Sequence, residues 1–310
     1  MKRTVKTSTF AAAVLAVQAG LGLFAPSGAS AAITALDLAN YTLTGTYTLP
    51  GVAAAEASAV TYNWTTDTLF VLGDEGDALV EVTRTGAQVS MMALTGFADT
   101  EGLTYIGGGQ FVLTEERLRN AYLLSYSAGG SVDSSTLAMA DLGATVGNIG
   151  IEGISYDPRD GSFITVKEIN PQEVNRNVID FGAGTAVVTS LFTPNLGVID
   201  LSDVQVLATV PSLTGAVDED NLLIFSQESA RLLEVDRSGN VLSQYDFSTL
   251  ADSAEGVTID ANGNIYVVAE NGDDPLLFEL SPAPVPLPPA LVLLGSALAG
   301  LAGVMRRRKA

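Results

Sequence analysis

Residues 100–116, Thr-Glu-Gly-Leu-Thr-Tyr-Ile-Gly-Gly-Gly-Gln-Phe-Val-Leu-Thr-Glu-Glu, decide how this chain is read. Two runs rich in β-branched, aromatic and aliphatic residues flank three glycines, which predicts a β-hairpin. The pattern returns twice more with little change. Glu152-Gly-Ile-Ser-Tyr156 leads through the turn residues 157–161 to a second run ending at Glu168, and Glu255-Gly-Val-Thr-Ile259 leads through Asn262-Gly263 to Glu270. Two weaker copies run from Ser58-Ala-Val-Thr-Tyr62 to Glu75 and from Ser212-Leu-Thr-Gly215 to Glu228. Asn262-Gly263 predicts a type I′ turn, which requires positive φ at both positions.

The closing glutamates lie 41, 52, 60 and 42 residues apart, a repeat of roughly fifty. Third and fourth strands follow the hairpins, seen best in residues 232–235 and 241–245 and in residues 79–82 and 88–91. Four short strands repeated five times predict an all-β fold, a β-propeller of about five four-stranded blades. The strand at 41–49 alternates Tyr and Leu on one face and is expected to complete the last blade and close the ring. A β-sandwich competes with this reading, and residues 170–210 leave room for a sixth blade.

Residues equidistant from a hairpin turn face each other and point the same way. On that count Glu101 faces Glu116, Glu152 faces Glu168 and Glu255 faces Glu270, while Ser58 faces Glu75 and Ser212 faces Glu228. Like charges directly opposite destabilise a sheet, so the arrangement calls for compensation. The eight glutamates 75, 101, 116, 152, 168, 228, 255 and 270 are expected to gather at one mouth of the central channel as candidate metal ligands: Glu75, Glu101, Glu116, Glu152, Glu168, Glu228, Glu255 and Glu270. A hard cation such as Ca²⁺, with roughly 6–8 oxygen ligands, is one compensation. A proton shared within a pair is another. The third is structural: each Glu caps backbone N–H groups of the next blade or pairs with Arg117, Arg119 or Arg176. No catalytic residue is assigned. Residues 260–264 read as a hairpin turn, Lys167 as a strand-end ion pair with Glu168, and Tyr62 and Trp64 as packing for the first hairpin.

The chain of 310 residues contains no Cys and no His. Disulfides, Ser-His-Asp and Cys-His nucleophiles, and zinc sites built on Cys or His are therefore excluded. Between residues 32 and 281 lie all 35 acidic residues and eight of the fifteen basic ones, a net charge of −27. Such a body repels nucleic acid and attracts cations or basic partners.

Both ends read as address labels. Residues 1–31 carry Lys2, Arg3 and Lys6, an apolar run and Ala29-Ser30-Ala31, the anatomy of a secretory signal peptide. Residues 282–310 contain Val285-Pro286-Leu287-Pro288-Pro289, about sixteen apolar or small residues, and Arg306-Arg307-Arg308-Lys309. That tail predicts a membrane anchor with its basic end cytoplasmic, although it is slightly short for a span of roughly 17–25 residues. It also resembles the PEP-CTERM sorting signals of Gram-negative bacteria in their VPLPA-type variant, with Pro289 in place of the usual Ala. The resemblance implies an exosortase-type membrane enzyme as partner and location in the cell envelope.

The runs GFADTEGLTYIGGGQFVLTEER (96–117), IEGISYDPRDGSFITVKEINP (151–171), LLIFSQESARLLEVDRSGNVL (222–242) and AEGVTIDANGNIYVVAEN (254–271) resemble the SdiA-regulated domain family over about residues 40–280. This implies a β-propeller in the envelope with bound calcium, and no established activity. Two function classes stay open: a non-catalytic propeller that binds a small molecule, a surface polymer or a protein partner, and a calcium-dependent hydrolase of lactonase or phytase type. Asn side chains beside the glutamates, with Asn170 and Asn271 the near ones, would favour the enzyme. A channel plugged by Tyr and Leu would favour the binding module.

Overall fold

The computed structural model describes residues 33–74, 77–251, 253–271 and 274–283. The chain enters with β1 (Tyr41–Thr48). It continues through β2 (Ala57–Asn63), β3 (Thr68–Gly73), β4 (Ala78–Val82) and β5 (Gln88–Thr95), then β6 (Thr100–Gly107), β7 (Gln110–Glu115), β8 (Asn120–Ser125), β9 (Ser131–Asp133) and β10 (Ala138–Asp141). Next come β11 (Ile151–Asp157), β12 (Ser162–Lys167), β13 (Glu173–Asp180) and β14 (Thr185–Phe192). The last strands are β15 (Asp203–Val206), β16 (Leu222–Ser226), β17 (Arg231–Val235), β18 (Val241–Asp246), β19 (Ala254–Ile259), β20 (Ile265–Ala269) and β21 (Leu276–Pro282).

These strands form five antiparallel sheets, the blades of a propeller: β2–β5, β6–β7–β8–β10, β11–β14, β15–β18, and β19–β20–β21 with β1 outermost. The innermost strands neighbour one another in the cyclic order β2, β6, β11, β15, β19 and back to β2. In the first blade β9 is a fifth strand, crossing from the second blade to pair in parallel with β5. In the last, β1 pairs with β21 from Tyr41 opposite Pro282 to Thr48 opposite Leu276. Residues 170–210 supply β13, β14 and β15 to the third and fourth blades, so no sixth blade forms there.

Apolar packing sits between blades. One buried cluster fills each of the five junctions, such as Phe70, Leu103, Phe111 and Leu113 between the first and second blades, and Leu223, Phe225, Val257 and Val267 between the fourth and fifth. Because strands alternate their two faces, each blade is apolar on both sides and buried by its neighbours.

Nearer the axis, a polar ring joins the inner strands. Thr61 Oγ1 accepts from Tyr105 N, Thr104 Oγ1 from Tyr156 N, Ser155 Oγ from Val206 N and Thr258 Oγ1 from Tyr62 N, while Gln205 Oε1 accepts from Thr258 Oγ1. Two arginines reach across seams farther out. Arg84 pairs with Asp260, and Arg237 with Asp157, both carboxylates being buried.

Several local expectations change. The fourth blade's inner strand is β15, not Ser212–Gly215, because 211–213 form a 3-10 turn in the long connection 207–221. At Asn262-Gly263 only the glycine has positive φ, at 87°. Asp260 closes this turn by accepting from Asn262 N and Asn264 N, so a type I′ geometry is not used.

Candidate metal-binding rim

The carboxylates are aimed by a bulge. In β2, β6, β11 and β19 the pairing register slips at the second residue of the motif: Thr100 faces Glu115, yet Gly102 faces Thr114. Ser58, Glu101, Glu152 and Glu255 are thus extra residues that leave the ladder, the device by which a bulge redirects one side chain. Ser202 holds this position just ahead of β15, where Leu201 N bonds to Glu168 O of the preceding blade as Thr100 N bonds to Asp74 O.

This overturns the hairpin count. Glu101 does not face Glu116, since Glu116 N bonds instead to Asp99 O. Ile151, not Glu152, faces Lys167, and Ala254 faces Ala269. No Glu stands directly opposite Glu within a described blade. The positions just after the second strands are Asp74, Glu116, Glu168, Gln227 and Glu270. Glu75 lies outside the described residues, and Asp74 takes the place expected for it. Glu228 is exposed, and Gln227 takes the rim position in its blade.

The carboxylates meet across seams instead. Glu116, Glu152 and Glu168, from the second and third blades, each offer a carboxylate oxygen within 4.8 Å of the others. Glu116 Oε1 accepts from Gly150 N at 2.8 Å, at the entry to the next blade, so one glutamate does the capping that the sequence suggested. Glu152 also shares a hydrogen bond with Glu116. On the other side Gln227 Nε2 donates to Glu255 Oε1. Arg119 and Arg176 are engaged elsewhere, with Glu173 and Asp160.

Burial and crowding raise these acids. Burial, then the charges of Glu255, Asp74, Asp99 and Glu116, pushes Glu101 up to about 9. Burial and Glu270 push Glu255 up to about 8, against hydrogen bonds from Ser58 and Gln227. Glu152 is raised well above the usual range by burial, then by Glu101 and Glu116. Glu168 is raised by burial and Asp200, and Glu270 by burial and Asp74. Two rim oxygens, Glu168 Oε2 and Asp74 Oδ1, are buried with no hydrogen-bond partner. A buried carboxylate oxygen without a donor is costly, and a cation would satisfy it. The donor set, all carboxylate with flanking Ser, Gln and carbonyl oxygens, suits a hard cation.

Among the inner strands Asp203 takes the position that follows the bulge. It stands where three other blades have glycine, fully buried, and accepts from Val204 N and Val257 N at 2.7 Å each. Beneath it lies the polar ring, with a cavity of about 10 Å³ beside Trp64 and Tyr105. Asn170 and Asn271 are both exposed. Lys167 turns away from the rim and donates to Ile169 O and Pro171 O.

Sequence reasoning missed Asp74, Gln227 and Asp203, because a one-residue bulge cannot be counted from hairpin symmetry. It also missed the polar ring, whose signal was present: a Thr, Ser or Gln follows each of Ser58, Glu101, Glu152, Ser202 and Glu255 by three residues.

With five blades and their rim in place, the SdiA-regulated family model matches residues 34–278. The chain belongs to the SdiA-regulated family. Solved structures share the fold at low identity. Glutaminyl cyclase of Myxococcus xanthus is 14% identical with a TM-score of 0.53, and the match covers 78% of this chain and 95% of the other. The WD40 β-propeller domain of Doa1 is 11% identical with a TM-score of 0.46, covering 78% and 97%. Virginiamycin B lyase of Staphylococcus aureus is 13% identical with a TM-score of 0.40, covering 72% and 65%. At these identities the likeness is one of fold alone. Among the described residues no helix is long and apolar enough to cross a membrane. The expected signal peptide and nearly all of the expected anchor lie outside the described residues.

Proposed function

We propose that this family member is an exported, envelope-anchored binding module that holds Ca²⁺ at the carboxylate rim and uses it to capture a small molecule, a surface polymer or a protein partner. The observation that carries this reading is the convergence of Glu116, Glu152 and Glu168 within 4.8 Å, beside the unpartnered oxygen of Glu168. Glu101, Glu255, Glu270 and Asp74 would offer further carboxylate oxygens on the other blades. A bound divalent ion would supply an electrophilic centre for an oxygen-bearing ligand.

The hydrolase reading takes second place. Asn170 and Asn271, the asparagines expected to favour it, are both exposed. Export, the membrane tail and exosortase processing rest on residues 1–31 and 282–310 as read from sequence.

The test is calorimetric titration of the detergent-solubilised full chain with CaCl₂, repeated on Glu152→Gln. Binding heat in the native chain and at least tenfold weaker binding in the variant are expected, since removing one charged ligand costs roughly 1.4 kcal/mol or more. No heat from either the native chain or Arg117→Gln would refute the proposal. Turnover of a lactone or phosphate ester would restore the hydrolase.

A further inference from the structure

The acidic mouth has a basic neighbour of its own. Arg117 follows Glu116 directly and is 53% exposed, at the solvent edge of the rim. Its Nε lies 3.1 Å from Asp99 Oδ2 and 3.8 Å from Glu116 Oε2. The second of these ion pairs engages Glu116, a member of the converging triad.

The guanidinium is held in place from the far side. Arg117 Nε donates to Asn148 Oδ1 at 2.9 Å, and Nη2 donates to the same oxygen. Its own carbonyl accepts from Val146 N, so residues 146–150 wrap it and then pass Gly150 N to Glu116 Oε1. Glu116 therefore has one oxygen on a backbone donor and the other facing Arg117.

We infer that Arg117 is a tethered cation that competes with the divalent ion at the rim and sets its affinity low. The inference rests on the cation-binding reading above. Arg117 is always charged and is positioned by Asn148 instead of by the carboxylates alone, so it stays when the ion arrives and repels it. Among extracellular calcium modules, affinities of roughly 10⁻⁴–10⁻³ M are usual, the range a built-in competitor would enforce.

Calcium calorimetry on the full chain, on Arg117→Gln, on Arg117→Lys and on Arg231→Gln tests it. Arg231 lies on β17, where its Nη1 donates to Gln244, so its loss changes net charge away from the rim. Screened repulsion between a half-exposed guanidinium and a nearby divalent ion is worth about tenfold in affinity. Arg117→Gln is expected to bind about ten times more tightly, and Arg117→Lys and Arg231→Gln like the native chain. A slower chelator-induced release from Arg117→Gln should accompany the gain.

Calcium binding by the native chain with unchanged or weaker binding by Arg117→Gln overturns this inference and leaves the cation site standing. Equal tightening by Arg231→Gln also overturns it, by showing a net-charge effect. Binding by Arg117→Gln alone supports it in its strongest form. Absence of heat from both the native chain and Arg117→Gln, with thermal melts showing both folded, overturns this inference and the cation site together.

Discussion

Glu101 and Glu255 carry at the residue scale the tension that shapes this molecule: carboxyls taken out of water and set beside one another. Both hold their protons in the fold to about pH 9 and 8, whereas the unfolded chain releases them near the ordinary glutamate value of 4.5. Above that lower value the folded state binds more protons than the unfolded one, so stability falls as pH rises. The decline should run from about pH 5 to pH 9 in cation-free protein and be absent below the unfolded value. Thermal melts across that range in a chelating buffer are expected to show the falling midpoint. Glu101→Gln should flatten part of the slope, and saturating Ca²⁺ should raise the midpoint most at the alkaline end. A midpoint that climbs with pH in chelator would contradict the raised values.

At the scale of the element, the repeated unit is a bulged inner strand with glycine behind the bulge. A Cβ on Gly256 would lie 2.6 Å from Ser58 O and 2.9 Å from Ala59 Cα, so the inner strands of the fifth and first blades approach closely because no side chain intervenes. Gly153 stands in the same relation to Asp203 and Val204 of the fourth blade. Gly256→Ala forces backbone against backbone and is expected to cost about 1–3 kcal/mol, as overpacking does, read as a lower urea midpoint with unchanged m-value. An unaltered midpoint would mean that the seam is looser than it stands here. The same element explains the failure of the hairpin count. Sequence symmetry places Glu opposite Glu, and the bulge turns the first Glu out of the ladder so that the charges meet at a seam.

Across the whole molecule the strands from the two ends of the described chain share a sheet. β1 pairs with β21, and Tyr41 Oη donates to Gly263 O in the turn between β19 and β20. Deleting residues 33–48 removes the outer strand of the last blade, exposing the backbone of β21 and stripping Ile33, Leu36, Leu38 and Tyr41 from the cluster around Phe278. A large drop in the thermal midpoint with aggregation through the bared edge is expected, and a midpoint within a degree or two of the native one would show that three strands suffice. The blades themselves were legible in the chain, because alternating apolar residues, turn residues and a motif returning every fifty positions are local signals. Glu101, Glu116, Glu152, Glu168, Glu255 and Glu270 were legible as a set for the same reason. The fourth blade was not, since Ser202 and Asp203 replace the Glu-Gly that marks three of the others and the long connection 207–221 separates its first two strands. By itself the sequence determined an acidic all-β repeat protein without thiol or imidazole chemistry, and carboxylates recurring at one position of the repeat. Only the tertiary structure decided which of them meet, that Asp203 is buried against Val257 of the next blade, and that Arg117 stands beside Glu116 and Asp99. Those contacts join different blades, and the spacing along a chain carries no record of which side chains a seam will bring within reach.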